Sequence, residues 1–206
     1  MMVDELGEFD SVLDVGGNVG EFAELCKLTW PAAAITSFEP VPRLARENDR
    51  RAQGRWMVQR VAAGADNGRA TIRHCLNQHS ASTLLPSGPV RREMFGIRDE
   101  WEELPVQVRR LDDYIGWVKG RCLLKVDVEG FELEVLAGAQ QVLELVDVVL
   151  LEVNQAPVFI GQPTFRELDD ELEAHGLRFE QVLGVQMGAG VHALAIVQFD
   201  GAWTRR

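Results

Sequence analysis

Four short runs of this chain are largely apolar: DSVLDV at 10–15, AITSF at 34–38, CLLKVDV at 122–128 and VDVVLLEV at 146–153. A strand that is apolar at nearly every position has no solvent face, so it belongs inside a sheet covered on both sides. Helical patterns lie between these runs. Phe22, Leu25 and Leu28 recur at helical spacing after the first, and FELEVLAGAQQVLEL follows the third. Strands that alternate with helices imply right-handed crossovers and a doubly wound, mostly parallel α/β sheet with helices on both faces.

The element ends carry their own signals. Pro31 closes the first helix, and Pro42 suits the first turn of the second. Thr164 with Glu167 forms a capping box before FRELDDELEAH, and Gly176 stops that helix ahead of LRFEQVLG. A third strand is expected from Trp56 to Ala63, with Asp66-Asn67-Gly68 turning it into a hairpin with ATIRHCL. VQVRRL alternates as a strand, and HALAIVQF from His192 is the last strand. The segment 77–104, with Ser80, Ser82, Pro86, Ser87, Gly88 and Pro89, reads as a long loop with at most one short helix, a lid over the site. One domain is expected over 1–206, with its core at about 10–199.

Composition narrows the partners. With 32 acidic against 21 basic residues the formal charge is −11, which opposes binding to nucleic acid or anionic lipid. Arg91, Arg92, Arg109 and Arg110 are read as solvated surface. No run reaches the ~20 apolar residues of a membrane span, and the acidic start MMVDELGEFD does not resemble a signal peptide, so a cytoplasmic location is expected. Cys26, Cys75 and Cys122 are expected to be reduced core thiols.

In sheets of this kind ligands bind beyond the carboxyl ends of the strands. After the first strand stands Asp14-Val15-Gly16-Gly17-Asn18-Val19-Gly20, a glycine turn that opens a helix and presents its free N–H groups. After the second stands Glu39-Pro40, where an acidic side chain can accept both hydroxyls of a ribose. The turn lacks the G-x-G-x-x-G of dinucleotide binders, and Asp14 suits a cationic amino group better than a pyrophosphate. Lys125-Val126-Asp127-Val128-Glu129-Gly130 ends a buried strand, and alternation places Lys125, Asp127 and Glu129 on one side if the strand runs that far. Glu152 and Asn154 end the next strand, so four polar groups (Asp127, Glu129, Glu152 and Asn154) are expected along one edge. A divalent cation among them is the alternative weighed and not adopted. His74, His175 and His192 are assigned structural roles.

LDVGGNVGEF, FEPVPRLARE, the SASTLL segment, LDDYI, KVDVEGFELEVLAGA and LLEV, in this order, resemble the FkbM family of S-adenosylmethionine (SAM)-dependent methyltransferases over roughly residues 10–185. The resemblance implies the class I methyltransferase fold, a Rossmann-like, mostly parallel seven-stranded sheet, and O-methylation of a hydroxyl on a natural product or sugar. It implies that Asp14, Gly16, Asn18 and Gly20 hold the methionine end of SAM, that Glu39 holds the ribose, that Gly17, Pro40 and Asp127 also contact the cofactor, and that Asp127 and Glu129 lie by the methyl group and acceptor. Gly17 stands where alanine is common, a change expected to be tolerated. Many members carry an N-terminal extension, and here the first strand is expected to start almost at once. Asp127 or Glu129 is the first candidate for the base, with His79 of the lid second. The expected partner is a small-molecule hydroxyl compound, with self-association open. The competing classes are an NAD(P)-dependent Rossmann oxidoreductase, for which the only tyrosine is Tyr114, and a non-catalytic SAM-binding or partner-binding module.

Overall fold

The computed structural model describes residues 6–77, 82–88, 100–156, 158–187 and 196–205. The chain opens with β1 (Ser11–Val15), α1 (Glu21–Thr29), β2 (Ala34–Phe38) and α2 (Pro42–Ala52). Three short or edge strands follow, β3 (Met57–Gln59), β4 (Ala62–Ala63) and β5 (Gly68–Cys75), and then β6 (Trp101–Arg109) and a 3₁₀ segment (Leu111–Trp117). The second half holds β7 (Cys122–Val126), α3 (Glu132–Ala137), α4 (Gln140–Leu143), β8 (Val148–Asn154), α5 (Phe165–Ala174), β9 (Leu177–Met187) and β10 (Ile196–Arg205).

Seven strands form the main sheet in the order β3-β2-β1-β7-β8-β10-β9. The first five are mutually parallel, and β10 runs antiparallel between β8 and β9. Alternation along the central strands sorts their side chains onto two faces. Leu13, Val15, Leu124, Val126, Val149 and Leu151 meet Val135, Leu136, Leu168 and Leu172 of α3 and α5 on one. Val12, Leu123, Val148 and Leu150 meet Ala23 and Cys26 of α1 on the other. The three cysteines are buried thiols. Among the described residues no helix is long and apolar enough to cross a membrane.

Three expectations are corrected. The 56–63 strand splits between sheets, and β5 is not its hairpin partner. β5 pairs antiparallel with β6, which also pairs parallel with β4, giving a separate sheet in the order β4-β6-β5. The turn before β5 serves another element: Asn67 donates to Asp113 Oδ2 at 2.8 Å and accepts from the Arg110 N–H at 2.8 Å. The helix read through FELEVLAGAQQVLEL is broken at Gly138. A Cβ there would lie 2.0 Å from the Gly64 carbonyl, and Asp112 Oδ1 accepts from the Gln141 and Val142 N–H groups, capping α4 from outside. The lid expected at 77–104 gives up its end to β6, and its Thr83 bridges to Arg73 of β5. His79, Arg91, Arg92 and His192 lie outside the described residues.

Candidate active site

A cleft, open at its mouth, lies beyond the carboxyl ends of β1, β2 and β7. Gly16 and Asn18, Glu39 and Pro40, and Asp127 and Val128 line its sheet side. Val61, Ala62, Ala63 and Ile72 supply an apolar wall from the second sheet, and Ser82, Thr83 and Leu84 close another side. Its mixed polar and apolar lining suits a nucleoside, with hydrogen-bonding groups on one side and an apolar bed on the other.

The glycine turn is shaped by close approach. Gly16 has φ +86°, and a Cβ there would lie 1.8 Å from the Asp127 carbonyl oxygen, so only glycine lets β1 turn against β7. The Gly16 and Gly17 N–H groups bond the Phe38 carbonyl at 3.0 and 2.9 Å, joining the turn to β2. Glu39 is 4% exposed, and its two oxygens accept the N–H groups of Asn18 at 2.9 Å and Val41 at 2.7 Å. Burial pushes its carboxyl up to about 7 against those two donors. Each oxygen retains a second lone pair for an incoming hydroxyl.

Asp14 is placed differently from the expected contact. It is 0% exposed and lies beneath the turn, accepting from the Ser37 hydroxyl at 2.9 Å, with Lys125 Nζ 3.9 Å from its other oxygen. Burial raises its carboxyl, and Lys125 opposes that rise. Lys125 also donates to Asp127 Oδ2 at 2.9 Å. Burial disfavours its ammonium, and Asp127, Asp14 and Glu152 outweigh that and keep it charged. Asp127 itself is 33% exposed in its side chain and borders the cleft.

β7 stops at Val126, so Glu129 does not continue its alternation. Glu129 has φ +55° and Gly130 φ +95°, a turn fastened by the Glu132 carboxylate accepting from the Gly130 N–H at 3.0 Å. Burial pushes Glu132 up to about 7. Thr83 is hooked onto the same turn, donating to the Glu129 carbonyl at 2.7 Å.

Asn48 of α2 was not singled out from sequence. Its amide donates to the Gly17 and Asn18 carbonyls at 3.3 and 3.2 Å and to Ser37 Oγ at 3.0 Å, and accepts from Trp56 Nε1 at 2.8 Å. The available signal was a polar residue at the helical spacing of Leu44, Asn48 and Ala52, the buried stripe of α2. His74 is buried with structural contacts. It accepts at Nε2 from Arg43 Nε at 2.9 Å, which places its proton on Nδ1, 2.6 Å from Ser82 Oγ.

Gly17 is not a neutral position in this chain. A Cβ there would lie 1.7 Å from Ser37 Oγ and 3.0 Å from Asn48 Nδ2. Gly17→Ala is expected to cost about 1–3 kcal/mol through overpacking. Adding Ser37→Ala is expected to return part of that loss, with a coupling of at least about 0.5 kcal/mol in a denaturation double-mutant cycle. Additive single effects would show that the hydroxyl is not what excludes alanine.

The model of the methyltransferase FkbM domain matches residues 14–179. The chain is 28% identical over 158 residues to "Methyltransferase 1" of Beauveria bassiana, covering 69% of this chain and 64% of that protein. It is 28% identical over 185 residues to the 2-O-methyltransferase NoeI of Sinorhizobium fredii, covering 85% of this chain and 76% of that one. It therefore spans about two thirds to three quarters of the length of these relatives. Magnesium protoporphyrin IX methyltransferase (ChlM) from Synechocystis, solved with bound SAM, shares the fold with a TM-score of 0.53 at 10% identity, over 99% of this chain and 74% of that one. A domain match across most of the sequence, on a sheet of this strand order, means that the chain belongs to the FkbM methyltransferase family.

Proposed function

We propose that this protein transfers a methyl group from SAM to a hydroxyl of a small molecule. The observation that carries the reading is the Glu39 carboxylate, locked by two backbone N–H groups beside a glycine turn that tolerates no Cβ. Such a carboxylate suits the diol of a nucleoside's ribose. The residues fit the rest of the group as well: Asn18 Oδ1 is buried without a partner beside the cleft, and the Val61–Ala63 wall offers an apolar bed for a base. The relative named as a 2-O-methyltransferase supports oxygen as the accepting atom.

Gly16, Asn18 and Glu39 with Pro40 would hold the nucleoside and its tail, while Asp14, Gly17, Gly20 and Asn48 shape the turn from behind. When bound, SAM supplies a methyl group activated by its sulfonium. Lys125 fixes Asp127 through Oδ2 and leaves Oδ1 for a second partner, here the proton of the acceptor hydroxyl. Glu129, on the turn just beyond, is the second candidate for that role. Alignment of the acceptor and exclusion of water supply most of the remaining rate.

The test is transfer of label from methyl-labelled SAM into small hydroxyl compounds. Equal amounts of labelled ether and S-adenosylhomocysteine (SAH) are expected. Hydride exchange with NAD(P) and no labelled product would overturn the reading in favour of an oxidoreductase.

A further inference from the structure

The outer edge of β5 carries one more pairing. Arg73 and Thr83 exchange backbone hydrogen bonds at 2.8 and 2.9 Å. In an antiparallel pairing the neighbours on either side are opposed as well, so Ile72 stands across from Leu84 and His74 across from Ser82. Opposed residues share a face, and Ile72, Ser82 and Leu84 all line the cleft. His74, 0% exposed, joins Ser82 to Arg43 of α2.

The chain of bonds has one direction. Arg43 turns both Nε, at 2.9 Å, and Nη2 toward His74 Nε2. A guanidinium has only donors, so Nε2 accepts and the imidazole proton sits on Nδ1. Nδ1 then donates to Ser82 Oγ at 2.6 Å. The Ser82 oxygen is thereby used as an acceptor, and its own O–H remains to be given elsewhere. Among the described residues this hydroxyl makes no second bond. Its neighbour Thr83 has already spent its proton, donating to the Glu129 carbonyl at 2.7 Å while accepting the Leu85 N–H at 3.0 Å. The same bonds hold residue 82 in place against β5 and the Glu129 turn.

The surroundings of that O–H point to the atom it meets. Val61, Ala62, Ala63, Ile72 and Leu84 offer the cleft nothing but apolar surface. A single directed donor set into such a wall suits a flat apolar ring with a lone pair on its edge, whereas a carboxylate would be costly to desolvate there. The ring nitrogens N1, N3 and N7 of adenine accept, and its amino group donates. We propose that Arg43, His74 and Ser82 read the base of the cofactor: Ser82 donates to one ring nitrogen of adenine, and His74 and Arg43 are positioning residues that keep the hydroxyl a donor. The proposal rests on the methyltransferase reading above. Were the imidazole proton on Nε2 instead, Nδ1 would accept from Ser82 and turn its O–H away from the ligand. Arg43, an exposed residue of α2, excludes that arrangement.

The test is calorimetry with SAH and its 1-deaza, 3-deaza and 7-deaza counterparts, each of which replaces one ring nitrogen by C–H. In the parent one of the three is expected to bind about three- to tenfold more weakly than SAH, the usual worth of one hydrogen bond. In Ser82→Ala, SAH itself should weaken by about that factor, and the same analogue should bind within about twofold of SAH. Arg43→Met keeps the hydroxyl and frees both tautomers of His74, so its discrimination should fall between those of the parent and Ser82→Ala. A merely structural role for Arg43 would weaken all four ligands by one factor and leave their ratios intact. Parent affinities for all three analogues within about twofold of SAH, or full discrimination surviving in Ser82→Ala, would overturn the proposal. Full discrimination in Arg43→Met would overturn the positioning role of Arg43 and His74. Failure of the parent to bind SAH would overturn the methyltransferase reading beneath it.

Discussion

Asp127→Asn is expected to lower methyl transfer about 10²- to 10⁴-fold, the usual contribution of a positioned general base. The substitution preserves shape and removes the charge. SAH affinity is expected to change by less than about threefold, because the amide keeps the shape of the side chain at the cleft edge. Some stability should be lost, since Lys125 keeps only Asp14, at 3.9 Å, as its nearest carboxylate. The loss should be smaller than the ~3–5 kcal/mol of a fully buried broken pair, because Asp127 is 33% exposed and solvent screens it. A second variant separates the two effects. Asp127→Asn combined with Lys125→Met removes the orphaned ammonium and should recover stability in a thermal melt while activity stays low. Parent-level turnover in Asp127→Asn, with SAH affinity unchanged, would remove Asp127 from the chemistry.

Gly16→Ala should be the most damaging single added methyl among the described residues. The left-handed backbone at φ +86° costs a non-glycine residue about 1–2 kcal/mol. The added carbon would also sit 1.8 Å from a backbone oxygen of residue 127, where no side chain can rotate away. Displacing β7 from β1 to make room adds about 1–3 kcal/mol. A fall of about 2–5 kcal/mol in chemical denaturation is expected from these two terms, with SAH binding lost because the turn and Asp127 move apart together. The contrast with Gly17 is diagnostic. There the obstacle is a serine hydroxyl, so a second substitution should relieve it; at Gly16 none should. A variant Gly16→Ala that binds SAH normally would show that the turn has slack the geometry does not reveal.

Local chemistry explains which parts of this architecture could be read in advance. β1, β2 and β7 are apolar runs flanked by glycine, proline or charge, and their ends were read to within a few residues. The Thr164–Glu167 capping box was legible because both partners lie within one turn of each other. What failed was non-local. Nothing near residues 66–76 tells β5 that its partner is β6, more than twenty residues later, because an Asn-Gly turn serves equally well to tie Asn67 to the 3₁₀ segment. The break at Gly138 depends on Asp112 and Gly64, both remote in sequence.

The site followed the same division. Gly16, Asn18, Glu39 and Asp127 all line one cleft, and Gly16, Glu39 and Asp127 each directly follow a strand, with Asn18 in the turn after β1. Asp14 shows the limit of that rule. Its position at the end of β1 was legible, but its burial against Ser37 and Lys125 was not, because strand pairing decides which side chains face one another. Asn48 lies still further from such signals, being a helix residue whose four partners come from the glycine turn, Ser37 and Trp56.

The account stands or falls on a nucleoside with a sulfur-linked tail seated between Gly16 and Glu39. Isothermal titration of the purified protein with SAH, beside NAD⁺ as a rival, tests this directly. Saturable one-to-one heat with SAH, abolished in Glu39→Ala, and none with NAD⁺ is the predicted result. Heat with NAD⁺ and none with SAH would contradict it.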